Sequence, residues 1–138
     1  MSGSIASAVF DGAAMKRVYE NDAWTVGIKN YRPIDSIEGF WELGRHNKTD
    51  ELFVLLAGAC VLVTMEERGG KREYSCADMQ PGAVYTIPRG VWHITITEKG
   101  AKLLIVEASS TGPANSDVMT LGETDRAALR RAVADRAR

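Results

Sequence analysis

Gly82-Ala83-Val84-Tyr85-Thr86-Ile87-Pro88-Arg89-Gly90-Val91-Trp92-His93-Ile94-Thr95-Ile96-Thr97 holds two short β-type runs joined by a Pro-Arg-Gly turn. Val84–Ile87 is rich in β-branched and aromatic residues, and the Pro and Gly that follow punctuate it sharply. From Val91 to Thr97 large and polar residues alternate. Alternate residues of a strand share a face, so His93, Thr95 and Thr97 lie on one side, with Trp92, Ile94 and Ile96 on the other. A wholly polar stripe of this kind either faces solvent or lines a polar cavity inside a barrel.

The same texture extends in both directions. Ala23–Ile28 and Ile37–Leu43 are short apolar runs, and Leu52–Leu56 and Cys60–Met65 read as a hairpin about Gly58. Gly69-Gly70 marks a turn before the more exposed Arg72–Cys76, Gln80-Pro81-Gly82 marks another, and Lys102–Glu107 is expected to pair back on Val91–Thr97 about Lys99-Gly100. Many short strands between Gly/Pro turns predict an all-β sandwich or barrel. Along the strand at Leu52, one face carries Glu51, Phe53, Leu55 and Ala57, the other Leu52, Val54 and Leu56. Both are apolar, which predicts a central strand covered on both sides. Only the end reads as helix: Thr124 as N-cap, Asp125 in the first turn, then an Ala-rich stretch to Arg136 with a thin apolar face of Leu129, Ala132 and Val133. The expected organisation is an N-terminal arm over 1–14, a barrel over 15–110, and a segment over 111–138 with a peripheral helix.

The 138 residues suit one domain. A net charge of −1 provides no general field for nucleic acid or anionic lipid, and the C-terminal arginines are interleaved with acids. Cys60 and Cys76 form neither a C-x-x-C pair nor a disulfide framework. Met1–Ala14 lacks a basic leader, and Leu52–Val63 is short of the roughly 20 apolar residues needed to cross a bilayer. The expected setting is cytoplasmic, with no membrane and no nucleic-acid partner.

The two histidines of the chain, His46 and His93, fall in telling contexts. His46 is followed after four residues by Glu51 and after six more by Gly58. Gly82, Pro88, Gly90 and His93 stand in the pattern G, five residues, P-x-G, two residues, H. These residues resemble the two motifs of the cupin superfamily, over roughly residues 15–110. The resemblance implies a small jelly-roll β-barrel with a short C-terminal helix, usually a homodimer, with a metal held inside by His46, Glu51 and His93. The departures are definite. Gly44 stands where the family has the first histidine of H-x-H, Thr97 stands where it has asparagine, and Gly39 falls one residue from the family's opening glycine.

Two histidines and a carboxylate suit Fe, Mn, Zn or Ni. The expectation is therefore a metal-dependent enzyme acting on a small organic molecule, with Glu51 and His93 also the catalytic candidates. Glu42, Tyr85, Thr95 and Thr97 are the candidate substrate contacts. Two alternatives stay open, on the premise that the gap at Gly44 abolishes metal binding. One is a metal-free isomerase, epimerase or lyase using His93 or Glu51 as acid or base; the other is a non-catalytic small-ligand module. The apolar faces Leu52/Val54/Leu56 and Trp92/Ile94/Ile96 exceed what a thin helix can cover, which predicts a homodimer joined through sheet faces.

Overall fold

Ten strands divide between two antiparallel five-stranded sheets in the computed structural model, which describes residues 3–136. The first sheet runs β1 (Ala14–Glu20), β2 (Trp24–Asn30), β9 (Lys102–Ala108), β4 (Glu51–Ala57), β7 (Val84–Ile87). The second runs β10 (Ser116–Thr120), β3 (Glu42–His46), β8 (Trp92–Thr97), β5 (Cys60–Arg68), β6 (Lys71–Asp78). From β3 onward the chain changes sheet at every connection except the β5–β6 hairpin, the path of a jelly roll. The expected hairpin about Gly58 and the expected pairing about Lys99-Gly100 are instead crossings between the two sheets. The β4–β5 corner needs Gly58: its φ is +71°, and a Cβ there would lie 2.6 Å from the Gly100 carbonyl oxygen.

Two apolar layers result. Between the sheets lie Phe53, Leu55, Cys60, Leu62, Met79, Ile87, Leu103 and Ile105. Outside the second sheet, Val61, Val63, Met65 and Ile96 pack with Phe40 and Leu43 under the helix α1 (Glu123–Ala134), which contributes the buried Leu129 and Val133. Burying side chains of this size stabilises by about 1.5–3 kcal/mol each, and Asp125 and Arg130 add polar contacts to Arg72, Tyr74 and the Ile37 carbonyl. The thin apolar face thus finds its partner within the chain.

Several expectations are corrected. Ile37–Phe40 is not strand: a 3-10 turn (Pro33–Asp35) and the turn after it occupy the segment, and β3 begins only at Glu42. Gly39 is packed so closely that an added Cβ would strike the Pro33 carbonyl. The barrel does not end at 110, because β10 pairs along the whole of β3. The helix starts at Glu123 behind Gly122, leaving Thr124 inside the first turn rather than at the cap. Trp92, Ile94 and Ile96 pack in the layer beneath the helix and are not a free face. Nor is β4 covered on both sides: Leu52 and Val54 are half-buried, while Leu56 is 48% exposed. With Trp24 at 45% and Val84 at 62%, Leu56 marks an apolar outer face on the first sheet. Cys60 and Cys76 are both free thiols, and burial pushes the Cys60 thiol up to about 12. No helix among the described residues is long and apolar enough to cross a membrane.

Candidate functional site

Sheet register brings the site together. His46 ends β3, Glu51 opens β4 and His93 lies at the start of β8. Gly44 pairs directly with His93, and Glu51 directly with Glu107. The polar stripe His93, Thr95 and Thr97 points inward: all three are buried. Of the two readings of that stripe, the cavity is the one the fold adopts.

Glu51 Oε1 lies 2.9 Å from His93 Nε2 and 3.3 Å from His46 Nε2, and one ligand atom from each of the three residues falls within 4.8 Å of the others. Glu51 and His93 are buried and His46 is half-buried. The outer nitrogens are held: His93 Nδ1 donates to the Val91 carbonyl at 3.0 Å, and His46 Nδ1 is 2.8 Å from Ser116 Oγ. A carbonyl only accepts, so the Nδ1 of His93 carries hydrogen, and its Nε2 presents a lone pair when the ring is neutral. A lone pair and a carboxylate oxygen 2.9 Å apart require a cation between them, either a proton or a metal ion. Ligands bound at about 2.0–2.2 Å to one ion stand roughly 3 Å apart, which matches the two separations. Fixing the remote nitrogen of a ligating histidine is the usual support of such a site. The residues present therefore fit a divalent metal.

Charge around the trio is tightly linked. Burial pushes the Glu51 carboxyl up, but hydrogen bonds with His46 and His93 outweigh it and hold the group well below the ordinary carboxylate range. The hydrogen bond with Glu51 raises His46 above 6.5, against the opposing effect of burial. Glu107, the cross-strand partner of Glu51, is pushed up to about 7, first by burial and then by the Glu51 charge. A raised carboxyl contributes stability that is whole below 4.5 and is lost as pH rises through about 7. In metal-free protein, Glu107→Gln is therefore expected to raise Tm at pH 8 while changing it little at pH 4.5. Thermal melts across that window check it; equal shifts at both ends contradict it.

The cavity about the trio has a volume of about 460 Å³, and Glu42, Thr95, Lys29, Asp35 and Glu107 also line it. Gly44 lines it too, and a Cβ added there would meet only the Asp117 carbonyl oxygen, at 3.8 Å. The position of the missing histidine thus lies on the cavity wall with room for a Cβ. Two sequence candidates stand elsewhere. Thr97 donates its hydroxyl to the Asp35 carbonyl at 2.8 Å and lines a separate cavity. Tyr85 packs against the layer between the sheets, and its hydroxyl accepts the Gln80 backbone N–H at 2.8 Å. Both face inward but toward other ends of the barrel. Glu107 and Lys29 were not among the sequence candidates. For Glu107 the signal was there: it shares a face with Leu103 and Ile105, an acid on an otherwise apolar stripe.

No family model matches the chain, and no curated protein matches it in sequence. Solved structures do match. A cupin-2 domain containing protein from Shewanella frigidimarina is 20% identical at a TM-score of 0.50, over 72% of this chain and 84% of that one. A Streptomyces PAC13 variant with uridine is 9% identical at a TM-score of 0.58, over 84% and 87%. Oxalate oxidase in complex with the substrate analogue glycolate is 15% identical at a TM-score of 0.50, over 71% of this chain and 46% of that one. This chain therefore spans under half of the oxidase. At these identities the likeness carries the fold.

Proposed function

We propose that this chain, whose fold is that of the cupin superfamily, is a metal-dependent enzyme acting on a small organic molecule inside its barrel. One observation carries the reading: His46, Glu51 and His93 converge on one point, with a lone pair and a carboxylate oxygen facing each other at 2.9 Å. A bound Fe, Mn, Zn or Ni ion would supply Lewis acidity or, for iron, a place for O₂. The chain's own residues do the rest. His46 and His93 hold the ion with their remote nitrogens anchored, and Glu51 adds the balancing charge. The opening at Gly44 admits the substrate, which Glu42 and Thr95 contact along the wall. Oxalate oxidase binding glycolate on a similar fold is consistent with a small ligand of this size.

Elemental analysis of purified protein tests the proposal: about one equivalent of a transition metal in wild type, and a loss of it in His46→Ala and His93→Ala. Unchanged content in both variants contradicts it.

A second reading rests on the same pair of atoms. A proton in place of the ion makes Glu51 and His93 an acid–base couple, suited to a metal-free isomerase, epimerase or lyase. Turnover that survives exhaustive chelation and disappears in His93→Ala favours it. The chain is further proposed to be a homodimer joined through the outer face of the first sheet, around Trp24, Leu56 and Val84, since large exposed apolar patches mark interaction surfaces. Sedimentation at micromolar concentration is expected to give twice the 15.0 kDa chain mass; a monomer contradicts this.

A further inference from the structure

We infer that Lys29 anchors the far, anionic end of the ligand, so that the substrate class is a short organic acid with metal-binding oxygens at one end and a carboxylate at the other. The inference rests on the metal-dependent reading for its first half only.

Lys29 lies on the inner side of β2, in register with Leu103 of β9, which in turn pairs with Leu55 of β4. Its side chain is 16% exposed and lines the same cavity as His46, Glu51 and His93. The ammonium donates to Thr95 Oγ1 at 2.9 Å. Its nearest acid, Asp35 Oδ1, is 3.5 Å away, too long for a good hydrogen bond. Asp35 is engaged instead by Arg32, whose Nε lies 2.8 Å from Oδ2. Two cations thus share one buried carboxylate at this end of the cavity. Glu42 lines the cavity as well, but among the described residues no ion pair joins it to Lys29 or Arg32. Glu51 and Glu107 belong to the histidine end.

An ammonium has three hydrogens to place, and a largely buried one is costly unless they are met. Thr95 takes one, and the cavity is where the rest can be satisfied. Thr95 follows His93 by two residues on the same face, roughly 7 Å along the strand. A ligand that reaches both the histidine trio and Lys29 is therefore a short chain with polar groups at its two ends.

2-Oxoglutarate and 2-oxopentanoate share a five-carbon chain and differ in whether its far end is a carboxylate or a methyl. Calorimetric titration of Mn²⁺-loaded wild type, Lys29→Met and Lys29→Arg with each acid tests the anchor. Wild type is expected to prefer 2-oxoglutarate by tenfold or more, Lys29→Met to bind the two within about twofold, and Lys29→Arg to keep part of the preference. Equal binding of the two acids by wild type, binding of neither, or an undiminished preference in Lys29→Met overturns the inference. A lysine that only braces the Asp35 turn would lower Tm in Lys29→Met and leave selectivity untouched, which also overturns it. Repeating the titration on metal-free protein separates the two claims. Selectivity that depends on Lys29 without any metal uptake removes the metal reading and keeps the anchor, whereas metal uptake without selectivity does the reverse.

Discussion

Glu51→Ala is expected to weaken metal binding by about 100-fold or more. The carboxylate is buried and lies against both imidazoles, at 2.9 and 3.3 Å. Removing one partner of a buried charged set costs about 3–5 kcal/mol, because the charge left behind has no counterpart. At about 1.4 kcal/mol per factor of ten, that is about two to three and a half orders of magnitude in affinity. Neighbouring Glu107 does not replace it, because it is not among the residues whose ligand atoms converge. Glu51→Gln keeps the shape and one acceptor while removing the charge, and should fall between wild type and Glu51→Ala. Competition against a chelating dye measures all three; equal affinity in wild type and Glu51→Ala would remove Glu51 from the ligand set.

Acidification is the second large effect. An imidazole must be neutral to bind a metal, so each ligating histidine exchanges one proton for the ion. Below about pH 6.5 two such exchanges cost up to roughly 100-fold in apparent affinity per pH unit. Glu51 raises the pKa of His46, so the proton competes there from a higher pH than at an ordinary histidine. Glu51 itself stays ionised through this window, because its carboxyl is held well below the usual range. Metal release followed from pH 8 to pH 5 should therefore rise steeply near neutrality, with a slope approaching two protons per ion. Occupancy that stays flat across that range is incompatible with two histidine ligands.

Much of this site is legible in the sequence. The spacing of His46, Glu51 and Gly58, and of Gly82, Pro88, Gly90 and His93, places three groups at strand ends, and the sheet register then brings those ends together. Spacing along a strand does not show which side faces in, however. β2 illustrates the difficulty: Trp24, Val26 and Ile28 look like the core face, with Thr25, Gly27 and Lys29 as the solvent face. In the fold Thr25 is buried, Lys29 lines the cavity and Trp24 is 45% exposed. Ile28 is buried as well, so both faces of β2 are partly covered and apolarity alone does not single out Lys29. β10 is hard to read for another reason: Ser116–Thr120 has few apolar residues, and pairing along β3 holds it while Met119 packs on the layer beneath the helix. Thr97 was placed on the correct face, but sheet periodicity carries no depth, so its removal from the histidine end could not be read.

Anomalous X-ray diffraction from metal-loaded crystals, recorded at the absorption edge of the bound metal, tests the central claim most directly. A single strong peak is expected about 2.0–2.2 Å from His46 Nε2, Glu51 Oε1 and His93 Nε2. No peak among those three atoms, or one held by other residues, would contradict the account.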